Sequence, residues 1–442
     1  MQREIIDLLA CPQSGQGLTL DVVKAEADEV EYGILRSEAG VYPIVSGIPV
    51  FTSVDDSLVD LVRTARFEEA TALAAFGGLP QPRLSRLAAA LAPELPGPLA
   101  RAMERVARRQ VNTGRRTVFA ADGSLRPERV LRFGYLESAG RSVDAYNYFA
   151  YRYGSPRHLV ALSCIEAAPE GDGAVLDFGC GAGHLTWALK ERMPRQAVIG
   201  MDKAFFLLLF ARHVTVPMGS FVCADGAALP IRSTACALVF ASDVLSFVTD
   251  KWPVMQQLAR VLADDACLMV TSVKNSRQRH VYAGEPLSPA GWSGLFGDLD
   301  HRVLADTDIL KRYLQGQGPL AGAAEPAAVE ASRMLSILAT KGKARIGCLE
   351  RFDGWPHARG ALAVNPLFRP ASGGGPQRTY VRQFPSQTYV DDNPEMVDYL
   401  PPSFSLPDGG LATARSGNDS GLHDLIASLC VLGLPAGARH DL

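Results

Sequence analysis

The chain has 442 residues, of which 47% are hydrophobic and 21% charged, with a formal net charge of −3. Those values suit an ordinary globular protein with a sizeable core, long enough for more than one domain or for one domain with large additions. A dedicated nucleic-acid binder is usually basic, so the near-neutral balance argues against one, while leaving room for a local basic patch.

Residues 1–7 lack the apolar core of a secretory signal. The longest apolar run, residues 204–211, falls far short of the roughly 20 residues a membrane helix needs. The eight cysteines form no Cys-x-x-Cys pair, and several sit inside apolar runs as small hydrophobes. A reduced, cytoplasmic protein without structural disulfides and without a membrane partner is expected.

Composition divides the chain into four regions. Residues 1–53 are short strands and turns, a small β-rich domain. Residues 54–140 are rich in Ala, Leu and Arg with Pro and Gly breaks, which predicts several short helices. Residues 141–341 alternate apolar strands with amphipathic helices, the pattern of a parallel α/β sheet. Residues 342–442 form an extension of loops and short elements, with a glycine-rich stretch at 372–376 and a final helix expected over 421–432.

The third region predicts strands at 174–178, 197–202, 221–225, 235–241, 266–273 and 334–341, with helices at 184–193, 203–213 and 251–262 between them. Such β-α units cross over right-handed into a doubly wound sheet. Ligands of these sheets bind outside the carboxyl ends of the strands. Asp177, Asp202 and Asp225 all fall at those ends.

The turn Asp177-Phe178-Gly179-Cys180-Gly181-Ala182-Gly183 carries the chemistry. Its glycines let backbone approach a ligand closely and turn sharply into the next helix. The third glycine comes one residue earlier than in a dinucleotide fingerprint, which disfavours NAD. Asp177 suits the ammonium of an amino-acid moiety, directly or through water. Asp202, with Lys203 beside it, suits a ribose diol. Asp225, followed by Gly226 and Ala227, suits an adenine amino group, with Leu229 against the ring. An amino-acid end, a ribose and an adenine together describe S-adenosylmethionine. The plainer alternative is that these aspartates only cap helices and form turns.

Residues 174–273 resemble the class I S-adenosylmethionine-dependent methyltransferases. Val175-Leu176-Asp177-Phe178-Gly179-Cys180-Gly181-Ala182-Gly183 is similar to the first motif of that family, Ile199-Gly200-Met201-Asp202 to its second, and Cys223-Ala224-Asp225-Gly226-Ala227-Ala228-Leu229-Pro230 to its third. Residues 258–268 are similar to its segment leading into the fifth strand, with the usual Pro-Gly-Gly replaced. The resemblance covers about a quarter of the chain. It implies a seven-stranded methyltransferase sheet, S-adenosylmethionine as cofactor and S-adenosylhomocysteine as product. It places Asp177, Gly179, Cys180, Gly181, Gly183, Asp202, Lys203, Asp225, Gly226, Ala227 and Ser242 at the cofactor.

Residues 8–15 and 42–51 resemble the small zinc-ribbon activator subunit of tRNA, rRNA and protein methyltransferases. Ser14 stands where a second ligand cysteine is expected, and no cysteine occurs between Cys11 and Cys164. A structural zinc site wants four ligands, so this module is expected to hold no metal, with Cys11 in its core.

Methyl transfer is an in-line displacement in which placing the acceptor and excluding water do most of the work. Ser242 and Asp243 follow the fourth strand and would sit beside the transferring methyl. Asp243 is a candidate base, or a cap for the next helix. Tyr148 is a second candidate, in a cluster of Tyr146, Tyr148, Tyr151 and Tyr153 with Arg152, Arg157 and His158 that reads either as an aromatic lid or as a packing helix. His184 is expected to pack rather than react. Arg101, Arg105, Arg108, Arg109, Arg115 and Arg116 read as a solvated helix face more readily than as a phosphate contact. The leading expectation is an enzyme that methylates a small-molecule acceptor in biosynthesis. An RNA or protein methyltransferase and a non-catalytic cofactor binder are the alternatives.

Overall fold

The computed structural model describes residues 1–52, 56–77, 97–138, 141–323, 325–371, 377–407, 411 and 420–438. The glycine-rich stretch at 372–376 and residues 78–96 of the expected helical region lie outside them.

The strands in chain order are β1 Thr19–Glu26, β2 Glu29–Ser37, β3 Gly40–Val45, β4 Ile48–Pro49, β5 Ala174–Phe178, β6 Val198–Asp202, β7 Ser220–Cys223, β8 Cys236–Ser242, β9 Leu262–Lys274, β10 Asp300–Ala305, β11 Met334–Lys341, β12 Ala361–Val364, β13 Phe368–Pro370, β14 Gln377–Arg382, β15 Ser403–Pro407 and β16 Val431–Leu434. The seven-stranded sheet runs β10-β11-β9-β8-β5-β6-β7. Its β5–β8, β6–β7 and β8–β9 pairs are parallel, and β11 is antiparallel to both β9 and β10. This is the doubly wound α/β sheet expected, with one antiparallel strand, β11, inserted next to the edge strand β10. The edge strand β10 is the one the pattern did not mark. Its residues Asp300-His301-Arg302 are too polar for an apolar run, and pairing along β11 makes them a strand.

The first compact unit comprises Met1–Tyr146, Gly181–Gly183 and Ile199–Arg232. Its antiparallel meander β1-β2-β3-β4 continues onto the edge of β7: Phe51 N donates to Cys223 O at 2.7 Å, Ala10 N to Pro230 O at 3.0 Å, and Arg232 N to Leu8 O at 2.9 Å. Arg212 fastens the same seam. Its buried guanidinium donates to Ser46 O at 3.0 Å and Gly219 O at 2.8 Å and pairs with Glu29. Cys11 is buried, with its sulfur 3.2 Å from Tyr42 Oη. Helices Asp56–Arg63, Phe67–Phe76, Gly97–Val118 and Glu128–Arg132 follow. Arg105, Arg108, Arg109 and Arg116 are exposed on the long helix.

The second unit comprises Asn147–Cys180, His184–Val198 and Ser233–Leu442. Its core packs Leu159, Ile165, Val175, Leu189, Leu238, Phe240 and Met269 with Leu367, Tyr389, Met396 and Leu432 of the C-terminal extension. The extension forms a β13-β14-β15 sheet and a β12–β16 pair. The expected final helix is shorter than read: Ser420–Ala427 is helical, and Val431–Leu434 pairs with β12 instead. Cross-strand pairing wins there because Val-Leu-Gly-Leu is a good strand once a partner is available.

All eight cysteines carry free thiols. Among the described residues no helix is long and apolar enough to cross a membrane.

Candidate active site at the carboxyl ends of the strands

The turn after β5 is built from left-handed glycines. Gly179, Gly181 and Gly183 have φ of 70°, 52° and 79°, a region that costs an L-residue about 1–2 kcal/mol. A Cβ on Gly179 would lie 2.3 Å from Val244 Cγ2, and one on Gly183 would lie 2.8 Å from Ala211 Cβ. Both conformation and close approach therefore demand glycine.

In the first unit, Asp202 ends β6 with one oxygen on each of two amides. Oδ2 accepts from Gly181 N and Oδ1 from Ala204 N, both at 2.9 Å. The Lys203 amide is a third backbone donor to this carboxylate, and of the roughly four lone pairs a carboxylate offers about one remains for a ligand. Burial raises the Asp202 carboxyl above its ordinary value, while those amides pull it back. Lys203 is exposed. Asp225 lies two residues beyond the end of β7 rather than in it. It is exposed and caps its own turn by accepting from Ala227 N at 2.9 Å, with Gly226 half-buried between them.

In the second unit, Asp177 is buried at the end of β5, and its Oδ2 accepts from Thr186 Oγ1 at 2.6 Å. Thr186 was missed in the sequence, where it is one more polar residue in an amphipathic helix. Cys180 is half-buried. Ser242 ends β8, with its Oγ buried and without a hydrogen-bond partner.

Asp243 follows with φ 56°, a strained value for a non-glycine residue. It is not a helix cap: the short helix Leu245–Phe247 starts at Val244, and Lys251–Val261 starts at Asp250. Its Oδ2 instead lies 3.6 Å from both Arg152 Nη1 and Arg157 Nε. Arg157 also grips Asp392 with both terminal nitrogens, at 2.7 and 2.8 Å. Tyr148 covers the Arg152 guanidinium at 4.6 Å from its ring centroid. Burial lifts the Tyr148 phenol above its ordinary range, the Asp243 carboxylate adding to the effect.

The extension fixes the segment that carries these arginines. Tyr389 Oη donates to Tyr151 O at 3.1 Å and Tyr399 Oη to Gly154 O at 2.8 Å. Ser155 then caps helix Pro156–Ala167, with proline at its first position. His184 Nε2 lies 3.1 Å from Phe149 O, so that nitrogen carries the proton. Burial, with the nearby Arg152 charge, lowers His184 to about 3 and pushes His158 well below its usual value. Both imidazoles are neutral at pH 7.

Beneath the cluster, Asp306 accepts from Ser272 Oγ and Ser336 Oγ, both at 2.7 Å, and burial raises it to about 6. Lys274 Nζ donates to Tyr282 O and Ala283 O, both at 2.9 Å. Asp306, Ser272, Lys274 and Asp392 carried no signal in the sequence, because nothing local links Asp392 to Arg157 across 235 positions.

The sheet order, with its antiparallel strand inserted next to the edge, is that of a class I methyltransferase fold. Residues 175–265 match the family model described as a methyltransferase domain. Among curated proteins the chain is similar to a malonyl-(acyl-carrier protein) O-methyltransferase of Methylovorus sp. (strain MP688), 31% identical over 125 residues. That alignment covers 26% of this chain and 41% of the relative. It is also similar to a trans-aconitate 2-methyltransferase of Variovorax paradoxus (strain S110), 28% identical over 151 residues, covering 34% of this chain and 58% of the relative. The chain thus spans 41% and 58% of the length of these two relatives. Among solved structures, phosphoethanolamine N-methyltransferase 2 of Haemonchus contortus, in complex with phosphomonomethylethanolamine and S-adenosylhomocysteine, is 14% identical. It covers 49% of this chain and 61% of its own, with a TM-score of 0.35.

Proposed function

We propose that the chain is an S-adenosylmethionine-dependent methyltransferase of the cytoplasm that transfers a methyl group to a small-molecule acceptor and releases S-adenosylhomocysteine. The observation that carries this reading is the left-handed glycine turn whose Gly181 amide is held by Asp202, within the segment that matches a methyltransferase domain. The remaining acceptor capacity of Asp202 suits the ribose diol. Asp177, held by Thr186, suits the amino-acid end. The turn residues Gly179, Cys180, Gly181 and Gly183 back the cofactor, and Asp225 with Gly226 and Ala227 suits the adenine. Lys203 and Ser242 are assigned to the cofactor as well, and Ser242 and Asp243 would sit beside the transferring methyl. The cofactor supplies an electrophilic methyl group; the chain binds, orients and excludes water.

The meander of residues 1–53 is read as an activator-like module built into the same chain, and the C-terminal extension as the part that shapes the acceptor site.

Radiolabelled S-adenosylmethionine incubated with the protein and cell extract, then divided into small-molecule, RNA and protein fractions, tests the reading. Label is expected in the small-molecule fraction. Label in RNA would instead make the exposed arginines of helix Gly97–Val118 the recognition surface. Asp202→Ala is expected to weaken S-adenosylhomocysteine binding more than about tenfold, roughly 1.4 kcal/mol. Unchanged affinity would refute the ribose assignment.

A further inference from the structure

The cluster at Asp243 holds more positive charge than its carboxylates use. Arg157 is bidentate to Asp392 through both terminal nitrogens, and only its Nε, facing Asp243, is left without a hydrogen bond. Arg152 makes no such bidentate pair. Its side chain is 5% exposed, its Nη1 is buried without a hydrogen-bond partner, and its closest carboxylate oxygen is the Asp243 Oδ2 it shares with Arg157. Among the described residues none of its nitrogens donates a hydrogen bond. Lys274 adds a third buried cation close enough to feel both Asp243 and Asp392. With Arg333 acting on Asp392 and Asp306 acting on Arg157, four cations face three carboxylates. A buried guanidinium left with open donors is costly unless an anion fills them, and planar bidentate pairing with a carboxylate is what a guanidinium does best. The cluster is not wholly sealed inside the core: Tyr148 and Tyr151, beside Arg152, keep a minor part of their surface exposed. It sits at the carboxyl end of β8, where ligands of such sheets bind.

Among the described residues the surroundings also lack a free base. His158 and His184 are held neutral and far below their usual values. The Tyr148 phenol is held protonated. Asp243 has its outer oxygen between two guanidiniums. An alcohol or phenol acceptor needs a base to remove its proton, whereas a carboxylate is already ionised at neutral pH.

We propose, resting on the methyltransferase reading above, that the acceptor is a small carboxylic acid anchored through a carboxylate on the open donors of Arg152, and that the methyl group goes to a carboxylate oxygen to give an ester. Arg152 is the binding residue; Asp243, with Arg157 and Asp392 behind it, is the positioning group that keeps the guanidinium in place. In the transfer, an oxygen lone pair forms the new C–O bond as the methyl C–S bond breaks. The electron pair stays on sulfur, leaving neutral S-adenosylhomocysteine. Carboxylate and sulfonium charges cancel, and no proton moves.

The test uses the full chain loaded with S-adenosylhomocysteine. Malonate, tricarballylate and trans-aconitate are titrated calorimetrically, with malonamide as the neutral control. At least one acid is expected to bind while malonamide does not. Arg152→Gln is expected to weaken that binding tenfold or more, and Arg152→Lys less, with S-adenosylhomocysteine affinity changed less than twofold in both, which also reports that the variants are folded. With the bound acid and radiolabelled S-adenosylmethionine, the product is expected to release its label as methanol in mild alkali. Binding of none of the acids, equal binding by Arg152→Gln, or an alkali-stable label would overturn the proposal. Failure of the wild-type chain to bind S-adenosylhomocysteine would instead overturn the methyltransferase reading.

Discussion

The Arg157–Asp392 pair is the sharpest place to perturb the fold, because it ties the C-terminal extension to the helix that leads into β5. Both side chains are at most 10% exposed, and the pair is bidentate at 2.7 and 2.8 Å. Removing one partner of such a pair leaves a buried charge uncompensated, at a cost of about 3–5 kcal/mol. Replacing both with apolar residues of similar volume restores most of that, because neither charge then needs solvation. Asp392→Leu and Arg157→Met should therefore each destabilise the region by about 3 kcal/mol or more. The double variant should be less destabilised than the sum by at least about 2 kcal/mol, within the range for directly contacting groups. Arg157→Met also leaves Asp243 with Arg152 as its one guanidinium partner, so it should cost more than Asp392→Leu. Hydrogen exchange followed by mass spectrometry on peptides spanning 386–400 reads the local opening energy directly. The reasoning fails if the two single effects simply add, or if Asp392→Leu leaves exchange in that segment unchanged.

Two further perturbations probe the glycine turn and the buried acid. Gly179→Ala sets a side chain at φ 70° and 2.3 Å from Val244 Cγ2. It should cut S-adenosylhomocysteine affinity at least tenfold by calorimetry, and Val244→Ala in the same chain should recover part of the loss. Asp306 has a folded pKa of about 6 against an ordinary value of 3.8. The folded state thus holds a proton the unfolded state has released between those values, and stability falls as pH rises from about 4 to 6, by roughly 3 kcal/mol for a shift of about two units. Asp306→Asn should flatten that segment of the urea-midpoint profile relative to wild type. A parallel profile would show that Asp306 is not the group responsible.

The glycine turn after β5 and the strands around it were legible in the sequence because both are local. Apolar runs of four to seven residues between amphipathic helices mark the parallel strands, and glycines spaced every second residue after β5 mark a turn that only glycine can make. Asp177 and Asp202 followed from their place at the ends of those strands, and the structure puts both on specific donors, Thr186 Oγ1 and the amides of Gly181 and Ala204. Asp225 lies two residues past the strand rather than at its end, because β7 stops at Cys223.

Tertiary structure alone decided the rest. Residues 300–305 and 431–434 become strands only because β11 and β12 offer them partners. The segment 151–157 reads as a tyrosine and arginine cluster that could pack or cover. Its position is settled by carbonyls gripped from Tyr389 and Tyr399, more than two hundred residues downstream. Asp243 reads as a cap from its neighbours, yet the chain brings Arg152 and Arg157 to its carboxylate from ninety positions upstream. Sequence spacing encodes backbone geometry over a few residues. A buried charge is assigned its partner by long-range packing, since the cost of leaving it unpaired is met wherever in the chain the partner happens to be.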